Sequence, residues 1–394
     1  MIGEEPARAR ILQLVSPRGF EKAPLGDALD RFAARELLAT IAVPPLDNSA
    51  MDGYAVRAND ARSGARLQVI GEQPAGAARD LRLGPGEAVR IFTGAPVPEG
   101  VDAVVMQEET TREGDEIVIN AETTARGDFV RKAGGDLIIG QTILERGERL
   151  RPATLGLLAS QGIAEVEVFK RARVAVVTTG DEVVAAGRKL RRGEIYESNA
   201  VMLSALAQRT GAKVIMQRHC ADDLPTVRAV LEEAVQADAL IISGGVSVGA
   251  RDFVRAALEA VGAKIDLWQV KIKPGKPFLF GTHEGCAIFG LPGNPVSSFV
   301  TFMVFVRPAL LRMMGATERE LELPRSLARL AQDVAGDEKR PHYLRGKLKD
   351  GRFTIAGRQE SHALFGLAQA NALLRVSAGE KLEEGSEVTV SLIS

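Results

Sequence analysis

Three lysines, two prolines and a glycine share seven residues in Lys271-Ile272-Lys273-Pro274-Gly275-Lys276-Pro277. Proline fixes φ and glycine admits a tight turn, so this spacing holds ammonium groups together against their mutual repulsion. A multiply charged oxyanion is the ligand that suits it. Past one short apolar hairpin comes Gly290-Leu291-Pro292-Gly293-Asn294-Pro295-Val296-Ser297-Ser298. Here Asn294 and Pro295 read as the N-cap and first residue of a helix, with amides near Ser297 and Ser298 free to bind an anion. Each segment alone is also readable as a surface turn.

A third segment, Ser243-Gly244-Gly245-Val246-Ser247-Val248-Gly249, follows an apolar run and precedes a helical pattern. Its glycines let the backbone approach a phosphate without Cβ interference, and successive amides can form an anion nest; the competing reading is a tight strand-to-helix turn. Glu182, Asp222 and Asp252 fall in or near loops of the same region. Oxygen ligands of this kind, supplemented by substrate phosphate and water, are what Mg²⁺ requires. Taken singly, each carboxylate reads more readily as a helix N-cap, particularly Asp222 and Asp252 at helix starts. Leu46 to Arg57 and Ile91 to Gly100 gather small residues around an aspartate, but their spacing names no chemistry.

The elements that must position these groups differ along the chain. Leu25, Leu29, Phe32, Ala33 and Leu37 share one face of an expected helix running from Pro24 to Pro44-Pro45. From Leu46 to Asp136 short strands are broken by glycine and proline, which predicts a β-rich, turn-dense domain. A helical patch over Pro152 to Gln161 would return to pack on the first helix. The middle third then alternates: strand Arg173 to Gly180, helix Ser198 to Arg209 capped by its serine, strand Lys213 to Arg218, helix Asp222 to Gln236, strand Asp238 to Ser243, helix Asp252 to Val261, strand Ile265 to Ile272. Alternation of this kind implies a doubly wound parallel sheet, with ligands at the carboxyl ends of its strands. After Gly315 the pattern turns to period two, which predicts a small C-terminal β-barrel or sandwich. The expected architecture is therefore α/β and multidomain: a discontinuous helical domain over 1–45 and 140–170, a β-rich domain over 46–139, the central α/β domain over 171–317, and a barrel over 318–394.

Composition excludes several function classes. A net charge of −1 with 26% charged residues offers no bulk attraction to nucleic acid or an anionic membrane, so any anion affinity is local. Cys220 and Cys286 fit neither a metal spacing nor a disulfide framework, which points to the cytoplasm. His219, His283, His342 and His362 are scattered without metal spacing. No GxxxxGK[ST] loop is present and no GxGxxG opens a strand-helix unit, against an ordinary ATPase or a nicotinamide enzyme. The apolar run Phe299 to Val306 is far short of a membrane span and reads as a buried helix.

Assembled, the segments LDNSAMDGYAVR, IFTGAPVPEGVDAVVMQE, TTGDE, SGGVSVGARD, KPGKPFLFG and GLPGNPVSS, in this order over nearly the whole chain, resemble the molybdopterin molybdenumtransferase family of the bacterial MoeA type. The resemblance implies an enzyme that takes adenylylated molybdopterin and molybdate, inserts molybdenum at the dithiolene and releases AMP with Mg²⁺ assisting. It implies roles for Asp52, Thr93 and Asp136, for Glu182, Asp222 and Asp252 (the metal set), and for Ser243, Gly244, Gly245 and Ser247 at the pterin phosphate. It further implies Lys273, Lys276, Pro292, Pro295 and Ser297, with Arg345 and Ser361 as molybdate contacts and Arg340 as the alternative to Arg345. Two positions depart from the family pattern: Gln269, where some members carry lysine, and Gly135, where an acidic residue is common. The resemblance also implies a homodimer, with Asp52 of one subunit completing the other's cleft. Transient contact with the adenylyltransferase that prepares the pterin, and with molybdoenzyme acceptors or chaperones, is implied as well. That adenylyltransferase is itself a rival reading of the central third, and a non-enzymatic scaffold is the other. The MDGYA and TGAPVPEG segments argue against the first, and the lack of a second attached domain against the second.

Overall fold

The computed structural model describes residues 1–76, 78–245 and 253–393. Ser247 and Asp252 lie outside the described residues. The chain forms two units: one comprises 1–35, 146–155 and 164–394, the other 36–145 and 156–163.

In the second unit six strands pair in the order Ala103–Met106, Gly53–Val56, Glu87–Ile91, Arg66–Gln73, Glu116–Ile119, Thr110–Glu113. Neighbours are antiparallel except Arg66–Gln73 with Glu87–Ile91. The strands are short because glycine and proline interrupt every apolar run, as the sequence implies.

The first unit carries the central α/β domain: β1 (Arg173–Thr179), α1 (Asn199–Arg209), β2 (Lys213–Cys220), α2 (Leu224–Ala234), β3 (Ala239–Ser243), α3 (Phe253–Ala260), β4 (Lys264–Trp268), β5 (Leu279–His283), β6 (Cys286–Leu291) and α4 (Pro295–Thr301). The sheet order is β2-β1-β3-β6-β5-β4, with β2, β1, β3 and β6 parallel. Strand residues alternate between two cores. Val174, Val176, Ile241 and Phe289 pack with Leu203 of α1 and the helices after β6. Ala175, Val177, Leu240, Ile242 and Ile288 pack with Val227 and Leu231 of α2 and Val254 and Leu258 of α3. Both faces are covered, which is why these strands read as unbroken apolar runs.

Two local details depart from expectation. β5 runs antiparallel to both β6 and β4, because Glu284 and Gly285, both at positive φ, close a two-residue hairpin between β5 and β6. The expected strand through Ile272 is broken at Gln269, whose φ is +66°. The expected helix from Pro24 does not form. That stretch holds a strand, Phe20–Pro24, a single 3₁₀ turn, Leu25–Asp27, and the short strand Leu37–Leu38. Phe20–Pro24 pairs with Glu165–Phe169, Phe32 and Ala33 form isolated bridges to Arg149 and Val168, and Leu37 pairs with Leu144. The helix of this region is Glu4–Leu14, missed because glutamate and arginine dominate it; only Ala7 and Ile11 are buried.

The helical run from Pro295 to Met313 is long and apolar enough to cross a membrane, but 83% of it is buried inside the protein, the condition of a core helix. Pro308 has no N–H to donate and its ring crowds the carbonyl at 304, and the turn Phe302–Val306 is π-helical. Beyond it five strands, Arg325–Leu330, Arg352–Ile355, His342–Lys349, Ala372–Val376 and Glu387–Leu392, close the expected barrel.

Candidate active site

The carboxyl ends of β1, β3 and β6 and the N-terminus of α1 surround a cavity of about 650 Å³. Thr178, Thr179, Gly180, Glu182, Glu197, Asn199, Asp222, Ser243, Gly244, Gly245, Pro292 and Pro295 all line it. Seven of the residues singled out in the sequence thus converge: Glu182, Asp222, Ser243, Gly244, Gly245, Pro292 and Pro295.

The turn after β3 is shaped by close approach. Gly244 (φ +98°) and Gly245 (φ +60°) leave no room for a side chain: a Cβ on Gly244 would stand 2.5 Å from the carbonyl oxygen of Thr179, and one on Gly245 2.6 Å from Cγ2 of Val254. Ser243 is buried, and its hydroxyl is committed to the protein, donating to Pro292 O (3.0 Å) and accepting from Asn199 Nδ2 (2.9 Å). Among the described residues, Thr179 Oγ1 and Asn199 Oδ1 are buried without a hydrogen-bond partner. Both residues line the cavity, so a ligand would find unsatisfied polar atoms at its floor.

The acidic residues sort by role. Asp223 caps α2, accepting from Thr226 N at 3.0 Å. That frees Asp222 for the cavity, where neither it nor Glu182 forms an ion pair among the described residues. Two unpaired carboxylates in one cavity fit the one-or-two-carboxylate, phosphate-assisted way in which Mg²⁺ is held. Ser198 stands at the N-cap of α1 but its side chain makes no cap bond; Glu197 Oε1 accepts from Ala200 N instead (3.0 Å).

Glu197 also anchors a network that the sequence did not flag. Its Oε2 accepts from Thr178 Oγ1 at 2.5 Å and lies 3.5 Å from His219 Nδ1. His219 Nε2 faces the carbonyl of Gly180 (3.1 Å), which can only accept, and Nδ1 faces Thr178 Oγ1 (3.0 Å), whose proton goes to Glu197. Both ring nitrogens therefore face acceptors, an arrangement that favours the protonated ring. Burial opposes charge on Glu197, but hydrogen bonds from His219, Thr178 and Ala200 outweigh it and bring its pKa down to about 2. The Glu197 hydrogen bond raises that of His219 against burial. A glutamate two residues before a helix and a polar Thr-Thr strand end were the available signals.

The lysine turn stands beside a second cavity, of about 600 Å³, lined by Lys271, Lys276, Lys339 and Arg340 with Met1, Asp337 and Glu338. Lys273 pairs with Asp337 (3.3 Å). Pro277, the residue after Lys276, is in the wall of the first cavity. Asn294 is at the N-cap of α4 but caps nothing with its side chain, donating instead to Ser361 Oγ at 2.9 Å. The Ser298 amide is taken by Asn294 O and that of Val296 by Ser361 O, so these amides are not open to an anion. Ser297 is buried and lines neither cavity.

Arg345 is wholly buried, its guanidinium donating to the carbonyls of Arg358 and Glu360. It holds the segment leading to Ser361, while Arg340 is the arginine that lines the cationic cavity. His342, buried beside Lys273, has its pKa pushed down to about 4 by burial first and by that lysine second.

In the other unit Asp52 and Thr93 meet at the ends of paired strands: Asp52 Oδ1 accepts from Thr93 N (2.7 Å) and Oγ1 (2.8 Å), bonds that lower the carboxyl pKa. Asp136 is exposed and makes no side-chain hydrogen bond among the described residues.

Comparison with known proteins matches residues 3–162 to the MoeA N-terminal region (domain I and II), 175–312 to a probable molybdopterin binding domain and 327–393 to the MoeA C-terminal region (domain IV). A molybdopterin molybdenumtransferase of Haemophilus influenzae is 37% identical, over 96% of this chain and 97% of its own. The chain belongs to the molybdopterin molybdenumtransferase family. Another relative, molybdopterin molybdenumtransferase 2 of Mycobacterium tuberculosis, is 39% identical over 91% of this chain and 93% of its own. Crystal structures of the molybdopterin biosynthesis MoeA protein from Pyrococcus horikoshii superpose with TM-scores of 0.84 and 0.87. They are 34% and 30% identical and cover 100% of this chain and 99% and 100% of theirs. As a member of the molybdopterin molybdenumtransferase family, the chain is a transferase of molybdenum cofactor biosynthesis.

Proposed function

We propose that this enzyme inserts molybdenum from molybdate into adenylylated molybdopterin and releases AMP with Mg²⁺. The observation that carries the reading is the shared wall at Lys276-Pro277, where Pro277 borders the glycine-lined cavity and Lys276 the cationic one. A phosphorylated pterin and an oxyanion repel each other, so holding both side by side requires fixed dipoles on one side and fixed cations on the other. Gly244 and Gly245 admit the backbone to the pterin's phosphates, and Thr179 and Asn199 offer their unpaired atoms to the same ligand. Lys273, Lys276 and Arg340 receive molybdate, and Ser361, fixed by Asn294 and by the Arg345-anchored segment, is read as a further contact. Glu182 and Asp222 would hold Mg²⁺, which when bound draws charge from the phosphoanhydride toward the leaving AMP. Asp52, Thr93 and Asp136 are read as contributors from the β-rich unit; Ser247 and Asp252 join the pterin and metal sets in this reading.

The test is a molybdate titration at saturating adenylylated pterin. Lys276→Ala should raise the molybdate needed for half-maximal turnover by about ten- to a hundredfold, the range of a charge-assisted contact, with pterin affinity little changed. Weakened pterin affinity with unchanged molybdate dependence would transfer the turn to the substrate phosphate and sink this assignment. We also read the enzyme as a cytoplasmic homodimer that meets the pterin adenylyltransferase and molybdoenzyme acceptors or chaperones transiently. Supporting the dimer, Leu38, Ile41, Ile138 and Ile139 are exposed on adjoining, hydrogen-bonded segments of the β-rich unit. Light scattering should give twice the 42.1 kDa chain mass, and a monomer at micromolar concentration would refute it.

A further inference from the structure

The cationic cavity already contains an anion of its own. Asp337 accepts from Arg340 Nη2 (3.3 Å) and Nε (3.4 Å) and from Lys339 N (3.1 Å), and pairs with Lys273 Nζ at 3.3 Å. One carboxylate thus gathers four donors from two chain segments, with its side chain 17% exposed. Lys271, Lys276 and Lys339 line the same cavity and form no ion pair among the described residues. Positive charge therefore exceeds what Asp337 neutralises, and burial and the neighbouring Lys273 hold the pKa of His342 down, its Nδ1 having no hydrogen-bond partner among the described residues.

Resting on the oxyanion reading of this cavity, we infer that Asp337 is a resident counter-ion standing in for the substrate oxyanion, which must displace its carboxylate from Lys273 and Arg340 to bind. A carboxylate presents two oxygens and one negative charge. A tetrahedral dianion presents four oxygens and two charges, enough to engage Lys273, Arg340 and the unpaired Lys276 together. Because Asp337 is tethered, it competes at a high effective concentration. Displacing it costs every entering anion the same free energy. The penalty leaves a dianion bound and removes ions of single charge, which gain less from the lysines. Asp337 thus sets the affinity threshold of the cluster without changing the ratio between ions, and without it the cluster would also fill with common monoanions.

The test compares molybdate with perrhenate, a tetrahedral oxyanion of similar shape and single charge, by isothermal titration calorimetry on the full-length protein without pterin. Asp337→Asn keeps the shape and removes the charge; Asp337→Ser repeats the measurement should the amide disturb folding. Displacement predicts that both ions bind more tightly by a similar factor, about tenfold. Tightening confined to molybdate would mean that the carboxylate stays in place and repels by charge, which overturns displacement. Weaker binding of both would make Asp337 an organiser of the cluster and overturn the inference as well. Lys273→Ala and Arg340→Ala in the otherwise unaltered protein test the underlying reading separately. Undiminished molybdate affinity in both would remove the oxyanion from this cavity altogether.

Discussion

Replacing Glu197 by glutamine keeps an acceptor for the Ala200 amide but removes the charge that His219 faces. With a side chain only 13% exposed, Glu197 holds its carboxylate at a pKa of about 2 against 4.5 for a free glutamate. At about 1.4 kcal/mol for each tenfold step, that difference is worth about 3 kcal/mol of folding free energy, an upper figure because the unfolded chain is taken as unstructured. The sign follows from the direction. A lowered carboxylate pKa stabilises above about 4.5, and the contribution fades as pH falls toward about 2. The raised pKa of His219 works the other way, fully present below 6.5 and lost as pH rises through its folded value. Urea unfolding followed through Trp268, the only tryptophan, should show Glu197→Gln less stable by about 2–3 kcal/mol near pH 6. The gap should close toward pH 2 and narrow again once His219 deprotonates. An offset independent of pH would refute a protonated His219 in the folded protein.

Gly244→Ala should destabilise by about 2–4 kcal/mol, combining a positive φ with a Cβ pressed on the Thr179 carbonyl, and should abolish pterin binding; an unchanged urea midpoint would contradict the geometry. Asp222→Ala and Glu182→Ala should cut Mg²⁺-dependent AMP release by orders of magnitude at constant melting temperature. Asp223→Ala should cost about 1 kcal/mol as a lost cap and leave the release rate near that of the unaltered enzyme. Arg345→Met should lower stability by about 3 kcal/mol by stranding the carbonyls of Arg358 and Glu360, whereas Arg340→Ala should alter molybdate dependence and leave the denaturation midpoint in place.

The central domain was legible because a covered sheet needs unbroken apolar strands, and Arg173 to Thr179 and Ala239 to Ser243 supply them. The convergence of the strand-end loops followed from that topology. What resisted reading were choices decided by neighbours distant in sequence. Asp222 and Asp223 are chemically identical and adjacent, and only the start of the helix at Leu224 separates cavity from cap. Arg340 stands just before the barrel strand His342–Lys349 and reaches the cavity, whereas Arg345 lies on that strand beside Leu344 of the barrel core and is taken up by the carbonyls of Arg358 and Glu360; spacing alone does not show where the strand begins. The Pro24 to Leu37 spacing fits a helix, yet Phe32 and Ala33 bridge Arg149 and Val168 and Leu37 pairs with Leu144, all over a hundred residues away, and these contacts outweigh local propensity.

Ile2 and Gly3 run as a two-residue strand beside Val270 and Lys271, and Met1 borders the cationic cavity. Any residues carried ahead of Met1, such as an affinity tag, therefore emerge at the mouth of that chamber. A polyhistidine leader there would bring its own imidazoles and metal-chelating capacity within reach of the incoming oxyanion, so kinetic work on this enzyme is better served by tags on the far end of the chain.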